Sequence, residues 1–495
     1  MRIKFFFGNL IITFLVEGMV IISLFLIYRI VAQGYGAQGV GEYSLIKRVV
    51  GFLQPIFLLG IGVALPRYIA LARDNQERYG YAQSGLFLIV ALSFILLLFA
   101  NAFKELFSQL FFGSGDYARL VVPFSFLFAG LMLHGFIYAY LRGRMFAKRF
   151  NFLQLINISI IPITIFVFAH HYSLESAVSG VGIATGIIAV IVLIVSAKGI
   201  LTPVKNFVES LKMLIIYGLP RLPGDFAIAG LFSIPIIAIA HFLSIEYAGY
   251  LAIGQNIIQV IGAMFAPLGI LLLPKVSDLA ARGKKEMIQD NLGLLIHALI
   301  DVALFVSVQL LIFMDIIIIF WLGPEFIQAS FLARIMVVSV IFYVFYVSVR
   351  SIIDAMKIEP INTTNSLLSL FIAITAGVLL SLFGFMPLII NFTVAFTIGL
   401  VCLGILTYNS LQKIYYQSTF KILKYLVSSF ALNSIFAVIA LGFKPLITGN
   451  IWQVASFLFF AGSLYLLIIW CIKRDWIRRG PNLIFLDTIN RQPIK

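Results

Sequence analysis

Five cations fall inside long apolar runs of this 495-residue chain: Arg29, Lys47, Arg48, Arg221 and Arg334. The acids in such runs are Glu17, Asp225 and Asp301, with Asp315 near the end of one. A charge at the centre of a bilayer costs about 2.5–3.5 kcal/mol on insertion scales, so groups of this kind either face an aqueous interior or reach back to the interface. Arg29, Lys47, Arg48 and Arg334 fall in one half of their runs; Arg221, within "YGLPRLPGDF", falls in the other. Two readings stay open for them. Arg29, Lys47 and Arg48 snorkel to the interface and Arg221 pairs with Asp225 one turn away, or the group lines a cavity, for which Arg48 and Arg221 are the favoured members. Lys47 and Arg48 point about 100° apart on a helix and do not share one direction. A cationic interior suits an anionic substrate, above all phosphate, to which Arg offers paired donors.

Placing such groups requires elements that cross a membrane. The chain is 62% hydrophobic and 11% charged, with a mean hydropathy of +1.07, against roughly 25% charged residues in soluble domains. Runs such as "SGLFLIVALSFILLLFA" are apolar on every side and long enough for helices. The expectation is an all-α integral membrane protein with fourteen transmembrane helices, among them spans at 8–31, 44–65, 213–242 and 247–273. Alternate connections carry 27 of the 35 basic residues, among them Lys198, Lys205, Arg282, Lys284, Arg350, Lys357 and those of the tail, and the others only Lys104, Arg119 and Lys444. By the positive-inside rule both termini are cytoplasmic in a multi-pass protein of the cell (inner) membrane. That asymmetry also accounts for the net charge of +15 without a nucleic-acid partner. The basic start and apolar run of the N-terminus read as a retained first span, since no small-residue cleavage site follows. Cys402 and Cys471 lie far apart in apolar runs, and neither they nor the five histidines form a metal-binding pattern. "GYGAQG" matches a dinucleotide fingerprint only literally, because it follows a membrane helix rather than a strand.

The stretch "LPRYIALA" from Leu65 returns 208 positions later as "LPKVSDLA" from Leu273. At the same offset Gly41 matches Gly249, Phe57 matches Phe265, Tyr138 matches Tyr346, Arg142 matches Arg350 and Asn157 matches Asn365. Six spans separate equivalent points, which implies a parallel repeat: a six-helix lobe at 1–206, a second at 207–416, transmembrane helices 13 and 14 at 417–475, and a cytoplasmic tail at 476–495. Span seven carries Pro220, Pro223, Gly224 and Pro235, which remove donors and loosen its ladder, as either a static kink or a hinge.

In "GVGEYSLIKRVVGFLQPIFLLGIGVALPRYIA", "YLRGRMFAKRFNFLQLIN", "YGLPRLPGDFAIAGL", "YAGYLAIGQNI", "LLPKVSDLAARG" and "FWLGPEFIQASFLARIM" the chain resembles the polysaccharide-transporter branch of the MATE-like (MOP) flippase superfamily, which includes O-antigen-type flippases. Many members carry an Asp-Arg pair further along helix seven; this chain has Ser233 and Pro235 in that region, so no role for such a pair is carried over. The resemblance implies two bundles around a cationic cavity that opens alternately to either side. Through it the head of a polyprenyl-(pyro)phosphate-linked oligosaccharide passes while the tail stays in lipid. Arg48 and Arg221 are then the first choices for phosphate contact, supported by Arg29, Lys47 and Arg334. Glu17, Asp225 and Asp301 are candidates for coupling to H+ or Na+, or for pairing with buried cations. The implied protein is a monomer with no cofactor, working beside a polysaccharide polymerase or glycosyltransferases. Competing readings are a lipid II flippase, a multidrug or cation exporter, and a polytopic polymerase or glycosyltransferase. The last lacks a large outer loop, since residues 103–118 hold only Lys104, Glu105 and Asp116 as charges. The topology is testable: a cysteine in place of Arg282, with Cys402 and Cys471 replaced, reacts with an impermeant maleimide only from the cytoplasmic side. Labelling of intact cells from outside overturns it.

Overall fold

The computed structural model describes the backbone of residues 2–196, 200, 202–204, 206–281, 285–356, 359–384, 386–415, 419–447 and 450–479. Lys198, Lys205, Arg282, Lys284, Lys357 and the tail from 480, all used in the reading of charge and topology, lie outside the described residues. Every regular element among the described residues is helical. The first group is α1 (Arg2–Leu58), α2 (Ile61–Leu71), α3 (Asn75–Ala102), α4 (Lys104–Phe112), α5 (Val121–Gly143), α6 (Ala147–Leu155), α7 (Ile161–Phe168) and α8 (Leu174–Ser196). It is followed by α9 (Phe207–Gly218), α10 (Leu222–Phe242), α11 (Ile245–Ala281), α12 (Lys285–Leu322), α13 (Ile327–Val337) and α14 (Val340–Met356). The last four are α15 (Ile361–Phe383), α16 (Leu388–Ile414), α17 (Thr419–Phe443) and α18 (Ile451–Arg479).

α1 has 57 residues, which as a straight helix would measure about 85 Å. It reverses instead at Gly36, whose φ of 65° and ψ of −165° leave the helical region and favour a residue without Cβ. The hydroxyls of Tyr28 and Ser44 are 3.1 Å apart, although sixteen residues along a straight helix span about 24 Å. Residues 2–35 and 37–58 are therefore two antiparallel limbs. The sequence places span two at 44–65; the chain instead breaks helix at Leu59 and Gly60, both with positive φ, and resumes as α2.

Among the described residues twelve helices are long and apolar enough to cross a membrane, or thirteen when Pro324–Val337 and Val340–Asp354, bent by 58°, count as one. The bend has neither Pro nor Gly in it. Ser339 supplies the cause: its backbone N and its Oγ both donate to Met336 O, at 2.9 and 2.7 Å, taking that carbonyl out of the regular ladder.

Helices pack closely where small residues let backbones approach. A Cβ on Gly182 of α8 would lie 2.3 Å from the carbonyl carbon of Phe126 in α5, and one on Gly130 2.2 Å from Gly182 O. Phe107 and Phe112 of α4 and Phe124 and Phe128 of α5, all fully buried, pack ring against ring. α17 and α18 lie against α12 through the Phe305–Phe436 and Phe305–Tyr465 ring contacts respectively. One end of the molecule gathers basic connections, where Gln83 donates to Ile200 O and Thr202 O and Arg149 to Ser196. The opposite end is tied by Tyr35 donating to Ala169 O, and by Arg119 paired with both Glu42 and Glu175.

The Gly182 contact is with backbone, which cannot move aside. Gly182→Val is expected to lower stability by about 1–3 kcal/mol, read as a drop in the thermal midpoint of purified protein in detergent. Gly186→Ala, whose Cβ meets Gly130 Cα at an ordinary 3.7 Å, is the control and leaves the midpoint in place.

Candidate functional site: a cationic seam between helices

The second limb of α1 runs between α10 and α11, and Arg48 sits on that line, 9% exposed. Its Nη1 donates to Gln259 Oε1 and its Nη2 to Asn256 Oδ1, both at 3.0 Å. The guanidinium carbon lies 5.6 Å from the ring centre of Phe232, and Ser233 Oγ donates to the Arg48 carbonyl at 3.0 Å. All of these partners are neutral. Lys47, one residue earlier and half-buried, places Nζ 5.2 Å from the ring centre of Tyr28 and 5.3 Å from that of Tyr43. Neither cation has a carboxylate within 4 Å among the described ion pairs. Two adjacent positive charges are thus held by amides and aromatic faces, an arrangement that leaves their charge available to an incoming anion.

From Arg48 a polar stripe descends toward the basic end along α14. Tyr343, Tyr346, Arg350 and Asp354 lie on one helix face. Tyr343 packs edge-on against Phe232, and Arg350 stacks over Tyr346 at 5.6 Å. Asn362 fixes the lower part, its Nδ2 donating to Asp354 Oδ1 at 2.7 Å and to Arg350 O at 2.8 Å. Asp225, at the start of α10, interacts electrostatically with Arg350, Arg221 and Asp354. It also lines a cavity of about 290 Å³ with Gly51, Gln54, Pro55 and Leu58 of α1.

Arg221 is exposed; it donates to Tyr217 O at 2.8 Å and lies over the Tyr217 ring at 3.9 Å, and no ion pair to Asp225 closes within 4 Å among the described residues. It occupies the short turn Leu219–Arg221 between α9 and α10. The two helices joined there have different partners. α9 lies on α2 and α3, where Ser84 donates to Phe207 O, Arg67 to Tyr217 Oη, and Gly60 abuts Gly218. α10 lies on α15, α16 and the second limb of α1. Pro220 is in the turn, Pro223 opens α10, Gly224 meets Thr363, and Pro235 is buried inside α10.

The remaining residues singled out from the sequence are spread apart. Arg29 donates to Phe320 O of α12 at 2.9 Å and stacks over the Phe320 ring. Arg334 pairs with Asp315 at 3.3 Å, and Asp315 also binds Lys444 at 2.8 Å, which ties α12 and α13 to the end of α17. Asp301 is buried and accepts from Ser429 of α17. Glu17 interacts with Tyr138 of α5. Asn256, Gln259 and Asp354 were missed, and Arg350 was read as a loop cation. A signal existed for Asn256, which stands 208 positions after Arg48; Gly41 and Gly249, at the same spacing, also touch, a Cβ on Gly249 falling 2.9 Å from Gly41 Cα.

Searched against known proteins, the chain matches no family model and no curated sequence. Its fold is that of MOP-superfamily transporter structures. Superposition on the lipid II flippase MurJ in an inward closed conformation gives a TM-score of 0.73 at 15% identity, covering 95% of this chain and 100% of that one. An inward-facing multidrug resistance MATE family transporter of the MOP superfamily gives 0.64 at 14% identity, covering 82% and 98%. The eukaryotic MATE transporter AtDTX14 gives 0.56 at 13%, covering 84% and 100%.

Removing an amide from Arg48 leaves guanidinium N–H groups unmet. Asn256→Leu is expected to cost about 1–3 kcal/mol, measured by denaturation in detergent. Arg48→Met combined with Asn256→Leu costs less than the sum of the two single changes; strict additivity would mean the contact contributes nothing.

Proposed function

We propose that this protein is a flippase, carrying a polyprenyl-(pyro)phosphate-linked oligosaccharide of the O-antigen type from the cytoplasmic to the outer leaflet of the inner membrane by alternating access. The observation that carries the reading is the Arg48–Lys47 pair, two neighbouring cations at a helix seam with only neutral partners. A phosphate or pyrophosphate head restores what burial removed from them, and the stripe from Tyr346 through Arg350 offers aromatic and charged contacts to the sugars. In this reading the chain crosses fourteen times, counting both limbs of α1 and taking α13 with α14 as one crossing. Residues 1–206 and 207–416 form two like lobes, supported by the self-contacts at the 208 spacing and by the matching Arg142–Tyr138 and Arg350–Tyr346 stacks. Residues 417–475 are an appendix and both termini are cytoplasmic. Asp225, with Glu17 and Asp301, stays a candidate for coupling to H+ or Na+. The turn at Pro220, Pro223 and Gly224 is the hinge, because the helix on one side of it rides with α2 and α3 and the helix on the other with α15 and α16.

A second reading is a lipid II-type precursor flippase, favoured by the extent of the superposition on that fold. A cation exporter fits less well, since it calls for an acidic cavity where Arg48 and Lys47 stand. Purified protein in vesicles is expected to move a lipid-linked oligosaccharide between leaflets without cleaving it. Arg48→Ala and Arg221→Ala abolish that movement while inserting normally. Wild-type transport by both variants rejects the reading, and release of a new glycan product points to an enzyme.

A further inference from the structure

A cavity of about 270 Å³ opens inside the first group of helices, between the two limbs of α1 and helices α5, α7 and α8. Its wall is apolar, built from side chains such as Leu24, Ile27, Leu131, Ile158, Phe166 and Val181. A dry cavity of about 150 Å³ holds a benzene ring, so this one has room for a branched hydrocarbon of about ten carbons. α11 closes the remaining side with Gln259, Val260 and Ala263.

Polar groups interrupt the wall at telling places. Lys47 lines the cavity with its ammonium held only over Tyr28 and Tyr43. Gln259 lines it too, and the same side chain accepts from Arg48, so one amide stands between the cavity and the Arg48 guanidinium. Asn157 is 1% exposed. Its Nδ2 donates to Thr185 O at 3.2 Å and faces His134 Nδ1 at 3.3 Å, while its Oδ1 has no partner. Asn157 belongs to the π turn Ile156–Ile160, a local widening of the helix that recurs at functional sites. A greasy chamber with a cation pair at its edge and one open acceptor does not suit a sugar, nor a simple inorganic ion. It suits an amphiphile whose anionic head meets Lys47 and Arg48, whose first carbons fill the chamber, and whose head retains one O–H, as a singly protonated phosphate does.

We propose that this cavity binds the hydrocarbon nearest the phosphate of an anionic prenyl lipid, so that the first isoprene units leave the bilayer and enter the protein while the rest of the chain remains in lipid. The inference rests on the flippase reading and adds a subsite to it. The test uses the full chain in nanodiscs with two probes, geranyl phosphate and methyl phosphate, measured by titration calorimetry. Geranyl phosphate is expected to bind at least tenfold more tightly than methyl phosphate. Leu131→Trp, which fills the chamber, or Ile158→Phe should the first variant not fold, removes that advantage and leaves methyl phosphate binding unchanged. Equal affinity for the two probes overturns the subsite and leaves the headgroup reading standing. So does a geranyl advantage that persists in the filled variants, since it would reflect partition into lipid. Binding of neither probe overturns both.

Discussion

A guanidinium withdrawn from water must regain what hydration supplied, through acceptors for its N–H groups and through opposite charge. Arg48 regains the first only in part and the second not from any ion pair described. Asn256 and Gln259 accept from it and Phe232 offers a ring face, all of them neutral. Burying such a charge is costly unless it is paired, and Lys47 beside it adds a like charge. That expense is understandable where an anion arrives to complete the pairing. Most of the architecture around the site can be read as the means of holding this pair between moving parts without neutralising it.

The contacts that hold the seam shut are of two kinds. At the seam glycine lets backbone meet backbone at Gly41–Gly249, whereas the like contact Gly60–Gly218 joins α2 to α9 on one side of the hinge. The Gly41–Gly249 contact is between neutral backbones and parts without leaving a charge stranded. The ion pairs stand elsewhere. Arg119 binds Glu42 to Glu175 within the first group of helices, and Asp315 binds Arg334 of α13 and Lys444 beyond α17, away from the seam. Electrostatic clamps stiffen each group, while the seam between them is closed by small residues and neutral amides. Such a division suits bodies that move against one another as units.

Much of this was legible in the chain. Hydropathy located the helices, because lipid forces every backbone group to be satisfied within its own segment. Arg48 and Arg221 stood out because arginine is expensive in apolar surroundings. Other features were hidden for identifiable reasons. Arg350 was assigned to a loop because counting basic residues by connection cannot tell a loop from the last turns of a helix, where Arg350 stacks over Tyr346. Asn256 and Gln259 carry no charge and so raise no alarm, although the 208 spacing from Arg48 pointed at the first of them. The bend at Ser339 was invisible because serine in an apolar helix commonly bonds back to its own turn without bending it. Arg29 and Arg334 were grouped with Arg48 because all three fall in the same half of apolar runs; in the fold their partners, Phe320 and Asp315, lie on α12.

The central claim, that Arg48 takes the phosphate of a lipid-borne substrate, is tested most directly by phosphorus–carbon dipolar recoupling. The experiment uses solid-state spectra of arginine-labelled protein in bilayers with a short polyprenyl pyrophosphate. The account predicts a phosphorus–carbon coupling at the separation of a guanidinium whose N–H groups donate to phosphate oxygens, and loss of that signal in Arg48→Lys. Coupling that survives in Arg48→Lys unchanged, arising from arginines at the basic end alone, would contradict it.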